Sequence, residues 1–306
     1  MVERITANFQ RFVNQSLFLF KLYFLGLITF FGFRIIFIFS YGNYNELINF
    51  KLDFLHSFIT GSRFDTIVFT YSFLLLFIIT FINLFLKCEY NQTQKIIDKI
   101  FIIYPIFTFI VIIFICICDF YYYRYFSTHL NVAVFGLIED DTKALLKSIW
   151  TDYPVIKILI FLIIISIVLH KIIKYLYYNY LKINLNNRTQ KFIYFFFYII
   201  MYLMGMRCSF GNVPLEFMEA CISPNTFINN IPINGVFALK NAIEEKNKGN
   251  IDISEKSFLE KYGYKNINEI TEDYFKYILQ KPFPEKITNT NNIDSLLMCK
   301  TKNNEY

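Results

Sequence analysis

Apolar residues in this chain run in blocks longer than a buried strand or core helix needs. The first extends from about Leu17 to Ser40, with Lys21 and Arg34 inside it. The second, from about Thr66 to Phe85, and the third, from about Ile100 to Cys118, are uncharged throughout. The fourth runs from about Val155 to Leu169, with Lys157 at its outer end. It continues to Tyr180 if Lys171 and Lys174 snorkel to the interface. The fifth, from about Phe192 to Met206, is the shortest and is closed by Lys191 and Arg207. Crossing a hydrocarbon core takes about 20 residues of helix. The pattern therefore predicts an all-α polytopic membrane protein with five transmembrane helices.

The segments between the blocks carry their own periodicity. From Asn45 to Ile59, Leu47, Ile48, Phe54, Leu55, Phe58 and Ile59 make roughly one helical face, which suits a helix lying in the interface. Asp141 to Trp150 repeats the idea: Leu145, Leu146, Ile149 and Trp150 are apolar, Lys143 and Lys147 polar, and Asp141 is an N-cap candidate. Trp150 and the run Tyr121, Tyr122, Tyr123 and Tyr125 fall where aromatic belts form. After the fifth block, Arg207 to Pro214 is turn-rich. Helices follow near Pro224 to Lys246, Ser254 to Tyr262 and Asn268 to Gln280, the last stopped by Pro282 and Pro284. The division is a five-span transmembrane domain over 1–207, a helical juxtamembrane segment over 208–284 and a flexible linker over 285–306.

Charge sets the expected orientation. Arg4, Arg11, Lys87, Lys95, Lys99, Lys171, Lys174, Lys182, Arg188 and Lys191 fall on one side of the five-span arrangement. The other side has Lys51, Arg63, Arg124, Lys143 and Lys147, offset by eight carboxylates including Asp65 and Asp119. The richer side is cytoplasmic by the positive-inside rule. That places the N-terminus inside and, with an odd number of spans, the tail outside.

Composition agrees with a membrane protein. Of 306 residues, 55% are hydrophobic and only 18% charged, against about 25% charged in a soluble domain. The net charge of +6 sits in the loops, so it speaks for orientation and not for nucleic acid. The Phe, Ile, Tyr, Asn and Lys excess also follows from AT-rich codons and carries no functional weight. The first block is too long for a cleavable signal and no small-x-small site follows it. No repeat of 20 to 50 residues is present, which excludes solenoids and propellers.

Candidate chemistry is sparse. The six cysteines form no CxxC pair; Cys116 and Cys118 read as packed residues, and Cys208 and Cys221 both fall on the outer side, where a disulfide can form. His56, His129 and His170 are isolated, and no HExxH, phosphate loop or GxSxG occurs. Few polar residues lie in the second and third blocks, which counts against an ion pathway. The polar candidates for headgroup binding or structure are Arg34, Arg63, Asp65, Asp119, Arg124 and Arg207. A cation inside a span is either paired or snorkels to the surface, and Arg34 fits both readings. Asp65 either pairs with Arg63 or Arg34 or sits near the start of a helix, favoured by its dipole.

Several stretches share an order and loop placement. They are Phe33-Arg34-Ile-Ile-Phe37, Gly61-Ser-Arg63-Phe-Asp65, Asp119-Phe-Tyr-Tyr-Tyr-Arg124, Asn131-Val-Ala-Val-Phe-Gly136 and Ile149-Trp-Thr-Asp-Tyr-Pro154. Beyond the fifth block come Met206-Arg207, Gly211-Asn-Val-Pro214-Leu and Ser223-Pro-Asn225 through Asn229, Asn234 and Gly235 to Leu239. Over about residues 15 to 245 this resembles the membrane region of the lipoteichoic acid synthase family, which includes phosphoglycerol transferases with a sulfatase-like domain of the alkaline phosphatase superfamily. The resemblance implies a membrane anchor beneath a catalytic domain that moves a phospholipid headgroup, phosphoglycerol or phosphoethanolamine, to a cell-envelope acceptor. It implies the cytoplasmic membrane of a bacterium, membrane phospholipids as partners, and a sulfatase-like domain supplied in trans. That domain's Thr nucleophile and metal ligands have no match here, so a divalent metal would belong to it and no cofactor to this chain. Alone, the chain is expected to be inactive. The alternative is a stand-alone scaffold or transporter subunit.

Overall fold

The computed structural model describes residues 2–85, 92–140, 142–179, 187–209, 211 and 214–249, and all regular structure among them is helical. In chain order the helices are α1 (Val2–Tyr41), α2 (Tyr44–Asn49), α3 (Lys51–Ser72), α4 (Leu74–Phe85), α5 (Gln92–Phe126), α6 (Ala133–Asp140) and α7 (Thr142–Asp152). Then come α8 (Val155–Tyr178), α9 (Arg188–Arg207), α10 (Thr226–Asn230) and α11 (Gly235–Gly249). A single 3-10 turn, Phe217–Ala220, lies between α9 and α10 among the described residues. The compact unit that holds the bundle runs through Glu245, and a second begins at Lys246.

The chain is an all-α polytopic membrane protein. Helices α1, α5, α8 and α9 are each long and apolar enough to cross a membrane, and α3 with α4 supplies a fifth span if the bent pair counts as one. Helix α1 has 40 residues, about 60 Å at 1.5 Å per residue, so it outruns a hydrocarbon core of about 30 Å. Its inner surface packs along α3 and α4, while α9 lies on α3 and α8 on α5. Phe12, Phe18, Phe73, Phe101 and Phe109 fill the centre. Outward-facing Ile160, Ile163 and Ile167 of α8 are more than half exposed, as a lipid-facing stripe requires.

The second span differs from the expectation. The amphipathic stretch from Asn45 is not one separate interfacial helix. It divides into α2 and the first turns of α3, which starts at Lys51 and runs on without a break through Gly61 to Ser72. Asp65 therefore lies in the interior of a helix, away from the dipole of its first turn. The span then bends by 52° between α3 and α4. A bend frees backbone carbonyls, and each unsatisfied one is costly inside a bilayer. Two tyrosines answer it: Tyr104 of α5 donates to the Ser72 carbonyl at 2.6 Å, and Tyr202 of α9 donates to that of Thr70.

Lys21 also has a physical role. Its ammonium donates to the carbonyls of Leu176 and Asn179 at the end of α8, where the helix leaves carbonyls unpaired and its dipole favours a cation. In the tail, the helix expected over Pro224 to Lys246 is two helices, α10 and α11, separated by the segment that holds Pro232. Pro232 has no backbone N–H to continue a helix. Cys208 and Cys221 are free thiols. Cys88, the Asp141 cap, the two helices expected between 254 and 280, and the 285–306 linker lie outside the described residues.

The account of the bend predicts that Tyr104→Phe lowers stability by about 0.6 kcal/mol, and by no more than about 1.7, the range measured for hydrogen bonds inside membranes. Reversible unfolding in mixed micelles reads this directly.

Candidate functional site

After α9 the chain doubles back over one end of the bundle, and residues 214–234 form a strap across α1, α3 and α5. Its asparagines explain how an irregular segment can be buried there. Asn225 caps α10 by accepting from the Phe227 and Ile228 amides, and its own amide donates to Glu46 at 2.8 Å. Asn229 accepts from the amides of Ile222 and Ser223 and donates to the Ser223 carbonyl. Asn230 donates to the Tyr123 hydroxyl. Asn234 caps α11 by accepting from the Phe237 amide at 2.9 Å. Each amide side chain stands in for a missing helix or sheet partner. Between them Ile228 and Ile231 pack with Phe37 and Tyr123, and Phe237 meets Phe64 edge-on at 4.6 Å.

Beneath the strap lies a buried ion pair. Arg34 of α1 places Nη2 3.1 and 3.0 Å from the two oxygens of Asp65 on α3. Its Nε donates to the Ile231 carbonyl at 2.9 Å and its Nη2 to that of Pro232 at 3.2 Å. Asn234 donates to Asp65 at 2.9 Å. Arg34 is 6% exposed and Asp65 1%, so of the two readings of Arg34 the paired one holds. Its guanidinium faces protein, not lipid headgroups. A Cβ on Gly61 would lie 2.6 Å from the Arg34 Cζ, so the side chain crosses α3 only because that position is glycine.

A second buried pair stands beside the first. Asp119, near the end of α5, accepts from the Leu130 amide at 2.8 Å and contacts His129 Nδ1 at 2.7 Å. His129 Nε2 donates to the Asn230 carbonyl at 2.9 Å, and its ring stacks on Phe37. Both ring nitrogens thus face oxygens, an arrangement that keeps an extra proton in the His129–Asp119 pair. Burial pushes the His129 pKa down, but the Asp119 charge and hydrogen bond, with the Asn230 carbonyl, outweigh it and hold the pKa above 6.5. A Cβ on Gly235 would lie 2.6 Å from the Asp119 Cβ, so α11 can start here only with glycine.

The other charged candidates are more open. Arg63 donates to the Cys208 carbonyl at 3.1 and 3.0 Å and pairs with Glu219 at 2.8 Å, both side chains about one-third exposed. Arg207 is exposed and donates to the Gly211 carbonyl. Arg124 is exposed near Tyr41. The structure thus joins Arg34 with Asp65, sets Asp119 close to them, and leaves Arg63, Arg207 and Arg124 on the outside. His129, Asn230, Asn234 and Glu219 were not anticipated. Asn229 and Asn234 were visible in the Asn-rich run before Gly235, but nothing in the spacing ties His129 to Asp119.

The space beside Arg34, Asp119, His129 and Asn234 is small, about 40 Å³, and the hydrogen bonds of these side chains run to the strap and to one another, so the network fastens the strap. No group of three His, Cys, Asp or Glu side chains converges among the described residues. Comparison with protein-family models, curated proteins and solved structures finds no match to this chain.

Two outcomes follow from this geometry. Arg34→Gln or Asp65→Asn should each cost about 3–5 kcal/mol, because each strands a buried partner, and denaturant titration in micelles measures it. The pH dependence comes from His129, faced by Asp119, Tyr123 and Cys116 on α5 and by Arg34 on α1. Its pKa is raised on folding, so its contribution is complete below 6.5 and is lost as pH rises through the folded pKa. Corrected amide exchange at Ile228 and Ile231 should quicken over that rise, and His129→Gln should flatten the response.

Proposed function

We propose that this chain is the membrane-embedded part of a phospholipid headgroup transferase of the lipoteichoic acid synthase type. It holds a sulfatase-like catalytic domain over the outer leaflet of a bacterial cytoplasmic membrane, with the N-terminus inside and the strap outside. The observation that carries this reading is the fastened strap. A segment leaving a last span is ordinarily free to swing; here it is tied through Arg34, Glu46, Asp65 and Asp119 to four helices, α1, α2, α3 and α5. A fastened strap offers a catalytic domain bound in trans a rigid outer face at a set depth above the lipids.

The family resemblance supports the same reading from another side. Four of its motifs lie far apart in sequence, around Arg34, Gly61 to Asp65, Asp119 and Ser223 to Gly235. They are the segments that meet in the buried network. Phospholipids are the partners of the membrane surface, and the nucleophile and divalent metal belong to the catalytic domain, reached in trans.

Loss of the gene should sharply reduce transfer of labelled phospholipid headgroup to envelope polymers or lipids, with diacylglycerol release falling in step. Unchanged transfer would favour a stand-alone scaffold or transporter subunit. Reporters fused after Lys95 and Asn250 should signal inside and outside respectively; an inside signal at Asn250 would sink the orientation.

A further inference from the structure

A larger cavity lies away from the strap. It is a groove of about 770 Å³ on the flank of the bundle, between α1, α3 and α9. Its walls include Phe20 and Tyr23 of α1, Phe69 of α3, and Tyr198, Met201 and Tyr202 of α9. At one end Phe20 and Tyr198 close the floor with ring centroids 6.3 Å apart. Arg63, which donates to the Cys208 carbonyl, and Arg207, which donates to that of Gly211, both line the groove beside Cys208 and Ser209. On α9 the distance from Tyr198 to Cys208 is about 15 Å at the helical rise.

We infer that this groove holds one anionic phospholipid, with an acyl chain along the apolar trough and its phosphate between Arg63 and Arg207. Three observations single out that occupant. The volume falls within the roughly 300–1,000 Å³ of sites that enclose a small ligand, whereas an added helix is about 10–12 Å across with its side chains. The mouth lies on a membrane span beside exposed Leu203 and Met204, where lipid is the surrounding solvent. The charges sit at one end only. Arg63 and Arg207 outweigh Glu219 by one positive charge, which matches the net charge of an anionic headgroup and not that of a zwitterion. Arginine also suits phosphate by its planar set of donors. The inference stands on the groove and its charges and does not depend on the transferase reading.

Native mass spectrometry of the full chain tests it, after exchange with vesicles of phosphatidylglycerol or phosphatidylcholine. One phosphatidylglycerol should stay bound, with phosphatidylcholine retained about tenfold less, because its choline cation meets the same net positive charge. Arg63→Gln with Arg207→Gln should remove that preference. Arg207→Gln alone should weaken it, and since Arg207 is exposed this variant keeps the test open if the double variant does not fold. Met201→Trp should reduce retention of both lipids by filling the groove. Equal retention of the two lipids by the wild type would overturn the inference. So would undiminished phosphatidylglycerol binding in Arg207→Gln, or its displacement by inorganic phosphate, which would mark a simple anion site. A dimer that Met201→Trp dissociates without loss of lipid would assign the groove to a second copy instead.

Discussion

A guanidinium and a carboxylate facing each other within a membrane protein set the terms for everything around them. Either charge alone would be costly to bury, and even together they lose more hydration than a single contact returns. Arg34 and Asp65 persist because the strap supplies further partners: the carbonyls of Ile231 and Pro232 and the amide of Asn234. The dependence runs both ways. Those two carbonyls belong to the break between α10 and α11 and would be unpaired without Arg34. The ion pair and the strap are therefore one structure, completed only when residues about 200 positions apart in sequence come together.

That requirement selects small and polar residues at particular places. Gly61 costs a helix about 1 kcal/mol relative to alanine, and here it opens the path along which Arg34 crosses α3. Gly235 lets the first turn of α11 press against Asp119. Asn234 serves twice, as cap for α11 and as donor to Asp65. The His129–Asp119 pair ties the same strap to α5 through Asn230, so three helices are held at one end by a connected polar network, while elsewhere aromatic packing fills the bundle and polar contacts such as Tyr104 with Ser72 are scattered. The groove between α1, α3 and α9 lies on the flank and takes no part in this fastening.

Much of this was legible in the amino-acid order, because block length and charge are local properties. The spans at Leu17, Ile100, Val155 and Phe192 appear as helices; the first, third and fifth are longer at both ends than the apolar block because polar turns extend them, and the fourth starts at Val155 and ends at Tyr178, within its expected continuation. The start of α3 was not legible. Its first turns are amphipathic and look like a surface helix, and they join the apolar span without a break at Gly61. Arg34 was singled out as a costly charge, yet two readings stayed open because its partner lies on another helix. His129 looked isolated for the same reason. The split between α10 and α11 was missed although Pro232 stands at it, and the number of amide side chains meeting backbone groups there depends on tertiary contact.

The central claim is that the buried pair holds the strap. Amide exchange over residues 222–238 tests it most directly, comparing the wild type with the double variant Arg34→Met/Asp65→Leu, which keeps apolar bulk and removes both charges. The account predicts that the strap amides lose protection while those of α1 and α5 keep theirs. Strap amides as protected in the double variant as in the wild type would contradict it.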